Sequence, residues 1–294
     1  MTVAVAVVGA GAIGAVICNA TAPDDPPLLC VRTPIPALVV VGEDRTSEPD
    51  VRIVTEPAAV EQPADVVFLT VKATDTAAAA GWLGRLCTPA TLLVMAQNGL
   101  DHAGRVAGMV PDGTAVVPGL AYIAAERLGA GRVRHLAGSS LVVPAAVVAR
   151  VAAAVPGLKV RGTDDVVTAC WQKLLGNLVA NPITALTMRR IDVMGEPGIA
   201  DLARGVLREA VAVGRASGAD LDDAVIEPIV VGTARYGSAT GSSMLYDRLA
   251  GRPMEHRYLT GEVVRRGADL GIPTPLNGAL LALLEAIDRG ITSL

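Results

Sequence analysis

The run Val3-Ala-Val-Ala-Val-Val8 passes directly into Gly9-Ala10-Gly11-Ala12-Ile13-Gly14 and then into Ala15-Val-Ile-Cys-Asn-Ala20. A short apolar, β-branched run without alternation fits a strand buried on both faces. Three glycines at this spacing, between such a strand and an apolar helix, predict a dinucleotide-binding turn. Gly9 permits the tight turn, Gly11 lets backbone approach a pyrophosphate, and Gly14 lets the helix pack on the strand. The helix N-terminus then offers free N–H groups and partial positive charge to the phosphates. The stretch therefore predicts an α/β domain of the Rossmann type at the start of the chain.

The next segments supply the strands that such a domain needs. Pro27 to Val31 reads as the second strand, followed by Arg32-Thr33-Pro34. NAD-binding chains usually carry Asp or Glu at this strand end, where it holds the ribose hydroxyls. A guanidinium suits a 2′-phosphate instead, through its paired donor fork. NADPH/NADP+ is accordingly expected over NAD, the alternative being a solvated loop arginine. Asp65 to Val71 reads as a central strand ending in Lys72-Ala-Thr-Asp75, before an Ala-rich helix. Thr91 to Ala96 is another, ending in Gln97-Asn98-Gly99. Both place polar residues at carboxyl ends, where open parallel sheets bind ligands, although Asn-Gly is also ordinary turn chemistry. Thr114 to Val117 continues the sheet. The alternating segment Arg132 to Val143, with Gly138-Ser-Ser140 inside it, predicts an antiparallel hairpin, and Leu158 to Val160 an edge strand.

At 294 residues the chain is long for a single core, so two domains are expected. The dinucleotide-binding domain is placed over residues 1–164 and a helical domain over 165–294. Apolar residues make up 51% and charged residues 18%, which suits a folded chain and excludes general disorder. Aromatics are only 2%, too few for the stacking that single-stranded nucleic acid requires. A net charge of −4 gives no electrostatic drive toward nucleic acid. Residues Val3 to Ala22 are uncharged and superficially resemble a secretory signal. No Lys or Arg precedes them, however, and glycines at fixed spacing interrupt the run, so a cytoplasmic protein with no membrane segment is expected. Cys18, Cys30, Cys87 and Cys170 are scattered and fit buried thiols in a reducing compartment. His102, His135 and His256 show no metal-ligand spacing, so no metal is expected.

The second half reads as helical. Its opening helix contains Trp171-Gln-Lys-Leu-Leu-Gly-Asn-Leu-Val-Ala-Asn181-Pro-Ile-Thr-Ala-Leu186. Lys173, Asn177 and Asn181 recur at four-residue steps, each about 400° of helix rotation, and so share one slowly drifting stripe. A lysine and two amides among leucines and valines are costly to bury without partners. The stripe therefore predicts the wall of a wet cleft between the two domains, aimed at a small polar ligand. Its alternative is a core helix with backbone-bonded amides and a snorkelling lysine. Pro182 is expected to kink this helix just after Asn181. Further helices are expected over Gly198 to Ser217, Asp222 to Tyr236, Glu255 to Leu270 and Leu276 to Arg289. The apolar last helix fits either the domain interior or a homodimer interface.

Taken together, these motifs resemble the ketopantoate reductase (2-dehydropantoate 2-reductase) family over nearly the whole chain. Gly9 to Gly14 is similar to its NADPH loop, and Arg32 stands at the position of its 2′-phosphate arginine. Lys72 and Asn98 match its strand-end cofactor contacts. Trp171-Gln-Lys173, Asn177 and Asn181-Pro-Ile-Thr-Ala-Leu186 resemble its catalytic helix. The resemblance makes Lys173 the proton donor and makes Asn177 and Asn181 substrate ligands. Ser243 matches its substrate-binding serine and Glu255 its carboxylate near the lysine. Without the resemblance, Ser243 reads as an N-cap for Met244 to Leu249, and Glu255 as a helix-start charge. Gly271-Ile-Pro-Thr-Pro275-Leu-Asn277 resembles the turn before the family's last helix.

The implied fold is α/β plus all-α, with a C-terminal domain of the 6-phosphogluconate-dehydrogenase-like type. The implied reaction is NADPH-dependent reduction of a 2-oxo acid. Its expected form converts 2-dehydropantoate to (R)-pantoate in pantothenate and coenzyme A biosynthesis. Two alternatives stand beside it: a reductase of another branched oxo or hydroxy acid on the same scaffold, and a non-catalytic NADPH-binding sensor.

Overall fold

A computed structural model describes residues 3–22, 24–235 and 240–292. It forms two compact units, one of Met1–Gln97 with Asp101–Val166, the other of Val167–Leu294 with the short segment Asn98–Leu100. No helix among the described residues is long and apolar enough to cross a membrane.

The first unit is built on two sheets. In chain order its elements are β1 (Val5–Val8), α1 (Ala12–Cys18), β2 (Leu28–Cys30), β3 (Val39–Val41), β4 (Thr46–Ser47), β5 (Arg52–Val54) and β6 (Val66–Leu69). They continue with α2 (Ala80–Leu86), β7 (Leu92–Met95), α3 (His102–Arg105), β8 (Ala115–Pro118), β9 (Leu120–Gly129), β10 (Arg132–Pro144), α4 (Val148–Ala154) and β11 (Lys159–Thr163). The first sheet has the order β5-β2-β1-β6-β7-β8, and every pairing in it is parallel. Strand order therefore reverses between β1 and β6, the switch point at which such sheets bind nucleotides. β1 shows why the opening run lacks alternation. Val5 and Val7 face a core shared with α1, whereas Ala6 and Val8 face a second core with Trp82, Leu83 and Leu86 of α2.

The second sheet, β11-β10-β3-β4 with β9 paired to β10, corrects the expected hairpin. Arg132 to Val143 is not folded on itself at Gly138; it is one long strand, antiparallel to β9. The two-residue turn is Ala130-Gly131, and register shifts occur on either side of Ala137. Gly138 thus marks an irregularity inside a strand. The strand β9 and the short strands β3, β4 and β5 were not expected from sequence. Val39–Val41 is only three residues long, too short to display a period.

The second unit contains α5 (Val166–Thr187) from its second residue onward, α6 (Pro197–Ala216), α7 (Ile226–Ala234), α8 (Ser243–Leu249), α9 (Thr260–Leu270) and α10 (Pro275–Thr292). Tyr236, the expected end of the helix begun at Asp222, lies outside the described residues. Buried positions on α6 fall at Ala203, Val206, Leu207, Ala210, Val211, Val213 and Gly214, most of them at the spacing of one helical face. Gly214 is where α6 approaches α5, since a Cβ there would lie 3.2 Å from the Trp171 ring. The carboxylate of Glu209 on α6 accepts N–H bonds from Leu276 (2.8 Å) and Asn277 (3.0 Å). It thereby satisfies two of the orphan donors at the start of α10. Leu280 and Leu284 of α10 are buried, whereas Leu283 is 55% exposed. The last helix therefore packs within its unit on one face only.

Candidate active site

The glycine turn occupies the carboxyl end of β1 at the switch point. Gly9 holds φ +112°, which side chains disfavour, and a Cβ there would meet the Val71 backbone nitrogen at 3.0 Å. At Gly14 a Cβ would lie 2.0 Å from the Gly9 carbonyl oxygen and 2.6 Å from the Thr70 hydroxyl. Both positions are closed to any larger residue. Gly11 differs, for a Cβ there would find the Thr70 carbonyl oxygen as its nearest neighbour, at 3.9 Å. Thr70, just after β6, fixes the loop: its hydroxyl donates to the Gly9 carbonyl (2.8 Å) and its backbone N–H to the Val8 carbonyl (3.0 Å). Gly11 caps α1 with no side-chain hydrogen bond, so the first-turn N–H groups of Ala12, Ile13 and Gly14 have no side-chain acceptor there. Open space above Gly11, uncapped N–H groups and an exposed arginine form a donor set that fits a dinucleotide pyrophosphate and 2′-phosphate.

That arginine is Arg32, two residues beyond β2. Its Nη2 lies 3.7 Å from Asp75 Oδ2, with side-chain exposures of 68% and 43%. A pair this open contributes little and leaves the guanidinium available to an anion. Lys72 begins the 3₁₀ turn Ala73–Asp75 that follows β6.

Asn98 follows β7 and belongs to the second unit. Its neighbour Gln97 has no individual role in the sequence pattern, yet it is the better connected of the two. The Gln97 amide donates to the Val71 carbonyl (2.9 Å) and to the Thr76 hydroxyl (3.0 Å). Its Oε1 accepts from Arg105 Nη1 at 3.1 Å. Burial lowers the His102 pKa to about 4, so the ring is neutral and its Nε2–H donates to the Gln97 carbonyl at 3.1 Å. Gln97 is thus the anchor of the turn that presents Asn98. A glutamine after an apolar strand, with Arg and His five to eight residues on, was the available signal.

In the second unit, α5 runs through Pro182 to Thr187 without a break. Lys173, Asn177 and Asn181 follow one another along it. Lys173 is half-buried, and desolvation lowers its pKa to about 8. An ammonium stripped of water holds its proton less tightly. Asn177 Nδ2 donates to Asn98 Oδ1 at 3.3 Å. Asn181 is tied on both sides of its amide. Its Nδ2 donates to the Asn177 carbonyl at 3.2 Å, and its Oδ1 accepts from Ser243 Oγ at 3.0 Å and from the Met244 N–H at 3.1 Å. Because a backbone N–H can only donate, the Met244 contact fixes which way the amide points.

The cap of α8 is Ser242, which accepts from the Leu245 N–H at 3.1 Å. Ser243 is therefore the first helical residue rather than the N-cap that one reading expected. Glu255 is 5% exposed and precedes the short turn His256–Tyr258; it is no solvated helix-start charge. Tyr246, whose hydroxyl accepts from the Gly241 N–H at 2.9 Å, ties the segment before α8 to the helix itself.

The structure thus brings Asn98, Asn177, Asn181 and Ser243 into one chain of hydrogen bonds, with Lys173 one turn before Asn177. It gathers Gly9 to Gly14, Arg32 and Lys72 in the other unit. A separate cavity of about 270 Å³ lies between the far end of α1 (Val16, Asn19, Ala20) and the second sheet (Val40, His135). None of the expected site residues lines it.

The sequence pattern described as "Ketopantoate reductase PanE/ApbA" matches residues 5–147, and that described as "Ketopantoate reductase PanE/ApbA C terminal" matches residues 165–288. The 2-dehydropantoate 2-reductase of Caulobacter vibrioides is 34% identical, covering 96% of this chain and 98% of its own. That of Mycobacterium tuberculosis is 36% identical, covering 99% of each chain. The dimeric ketopantoate reductase of Staphylococcus aureus superposes with a TM-score of 0.88 over 98% of this chain and 99% of its own; at 24% identity it shows the shared fold. With both halves matched in order and relatives above 30% identity over nearly full length, the chain belongs to the ketopantoate reductase family.

Proposed function

We propose that this protein reduces 2-dehydropantoate to (R)-pantoate in the route to pantothenate and coenzyme A, with NADPH as reductant and Lys173 as general acid. Residues 1–164 serve as the cofactor domain and residues 165–294 as the substrate domain. The observation that carries the reading is the polar row on α5, in which a lysine of lowered pKa precedes two asparagines, the second bonded to Ser243.

When bound, the cofactor supplies the hydride, and the chain has only to hold and orient it. The backbone of Gly9 to Gly14, including Ala10, Ala12 and Ile13, cradles the pyrophosphate. Arg32 takes the 2′-phosphate, and Lys72 and Asn98 complete the cofactor contacts. The oxo acid rests on Asn177, Asn181 and Ser243. As its carbonyl carbon gains hydride, the oxygen gains negative charge and takes the proton of the Lys173 ammonium. A pKa of about 8 keeps Lys173 mostly charged at neutral pH, yet ready to release its proton to a developing alkoxide. Glu255 helps to fix the ammonium in place.

The test is loss of NADPH absorbance when purified protein meets 2-dehydropantoate and a panel of other 2-oxo acids. Fastest turnover with 2-dehydropantoate is expected. A faster rival would reassign the substrate, and binding of NADPH with no turnover on any oxo acid would point to a sensor.

On the same reading the protein is a cytoplasmic homodimer. Its four cysteines are buried free thiols, and the Staphylococcus aureus relative is dimeric. The exposed Leu283 of α10 leaves apolar surface for a second copy; sedimentation of the purified protein measures this directly.

A further inference from the structure

The hydroxyls of Thr184 and Ser242 lie 2.6 Å apart. Thr184 is completely buried and Ser242 is 7% exposed. Thr184 Oγ1 also lies 2.6 Å from the Ala180 carbonyl oxygen, which can only accept. A hydroxyl has one proton, so Thr184 donates to Ala180, and Ser242 must donate to Thr184. Ser242 in turn accepts from the Leu245 N–H. The result is a directed chain: Leu245 N–H to Ser242, Ser242 O–H to Thr184, Thr184 O–H to the Ala180 carbonyl. It joins the N-terminus of α8 to α5 one turn beyond Asn181.

Two further contacts fasten the same pair of helices. Asn181 Oδ1 receives the Ser243 hydroxyl and the Met244 N–H. Arg248, at the other end of α8, donates to the carbonyls of Ala185 and of Leu186, the latter at 3.2 Å. Ser243 thus sits between the Ser242–Thr184 contact, which pairs two buried hydroxyls, and the Arg248 contact.

We infer that Thr184 and Ser242 are positioning residues, a buried latch that sets Ser243 and the Asn181 amide at the spacing the oxo acid requires. Neither hydroxyl touches substrate in this assignment. It rests on the reductase reading, because the ligand that Ser243 meets is the one proposed above. Removing the Thr184 acceptor strands the Ser242 proton in a dry site and frees α8 to shift relative to α5. Effects of about 1 Å on a binding group are felt in affinity before they are felt in the fold.

The test compares Thr184→Val, Thr184→Ser and Ser242→Ala with the parent protein. Thr184→Val is expected to raise KM for 2-dehydropantoate about tenfold, a typical consequence of stranding one buried hydroxyl. KM for NADPH should stay unchanged and kcat within about threefold. Thr184→Ser restores the acceptor and should restore KM. Ser242→Ala removes the Leu245 cap bond as well and should raise KM at least as much, and adding Thr184→Val to it should add little, since the Ser242–Thr184 bond is then already lost. Parent-like KM in Thr184→Val and Ser242→Ala overturns the latch, as does a loss that falls equally on all parameters and is not rescued by serine. Hydrogen exchange at the Met244 and Leu245 amides provides a readout independent of turnover. Faster exchange in Thr184→Val is expected, and unchanged protection overturns the latch. A parent protein inactive on every oxo acid would sink the reductase reading alone, leaving the exchange measurement to judge the latch.

Discussion

The glycine turn and the α5–α8 junction do comparable work by opposite means. At the turn the backbone alone sets the shape, and on the proposed reading it is the backbone that would hold the cofactor. Gly9 and Gly14 are defined by what cannot fit beside them, with a Cβ at Gly14 only 2.0 Å from a carbonyl oxygen. At the junction side chains set the shape, and each is held by another group. Asn181 is set by Met244 and Ser243, and Ser242 by Thr184 and Leu245. A site made by exclusion tolerates no added atom, whereas one made by hydrogen bonds tolerates no lost atom. The contrast can be broken or sharpened by substitutions on each side.

The largest effect is expected at Lys173. Lys173→Ala should lower kcat by about 10²–10⁴, the usual contribution of a placed general acid, with NADPH affinity largely kept in fluorescence titration. Retained turnover would remove Lys173 from the mechanism. The same residue should govern pH dependence. Its folded pKa is lowered, so the acid form is lost as pH rises through about 8. Reduction should therefore slow above that pH, and the reverse oxidation should quicken. A profile flat through the region would contradict the assignment.

Next come the glycines. Gly14→Ala should destabilise the first unit by roughly 1–3 kcal/mol or more, as overpacking does, and should lower the thermal midpoint. Gly11→Ala meets no atom closer than 3.9 Å, so its thermal midpoint without cofactor should match the parent while NADPH binding weakens. Equal midpoints for the two variants would show that exclusion does not define the turn.

The smallest effect is expected at Arg32. Arg32→Ala should weaken NADPH by about tenfold, in line with one charge-assisted contact, and NADH hardly at all. Competition between the two cofactors in steady-state assays measures this, and equal weakening would show that Arg32 does not read the phosphate.

The two sites also differed in how much of them the sequence displayed. β1, β6 and β7 were visible as unbroken apolar runs because each is buried on both faces. The strands β3, β4 and β5 were not, being two or three residues long. Gly138 looked like a turn because local chemistry does not distinguish a hairpin tip from an irregularity within a strand. Gln97 and Thr184 looked like filler, since Val71 and Thr76, which take the Gln97 amide, and Ser242, which meets Thr184, lie 21 to 58 residues away.

The amino-acid order by itself determined the glycine turn, the run of parallel strands, the helical second half and the four-residue rhythm of Lys173, Asn177 and Asn181. These are short-range facts, fixed by the steric demands of glycine and by helical and strand periods. Only the tertiary structure decided that Asn181 is bound to α8, that Ser242 rather than Ser243 caps that helix, and that Gln97 anchors the turn before Asn98. Hydrogen-bond partnership depends on angstrom-scale proximity between distant segments, and no local pattern encodes that proximity.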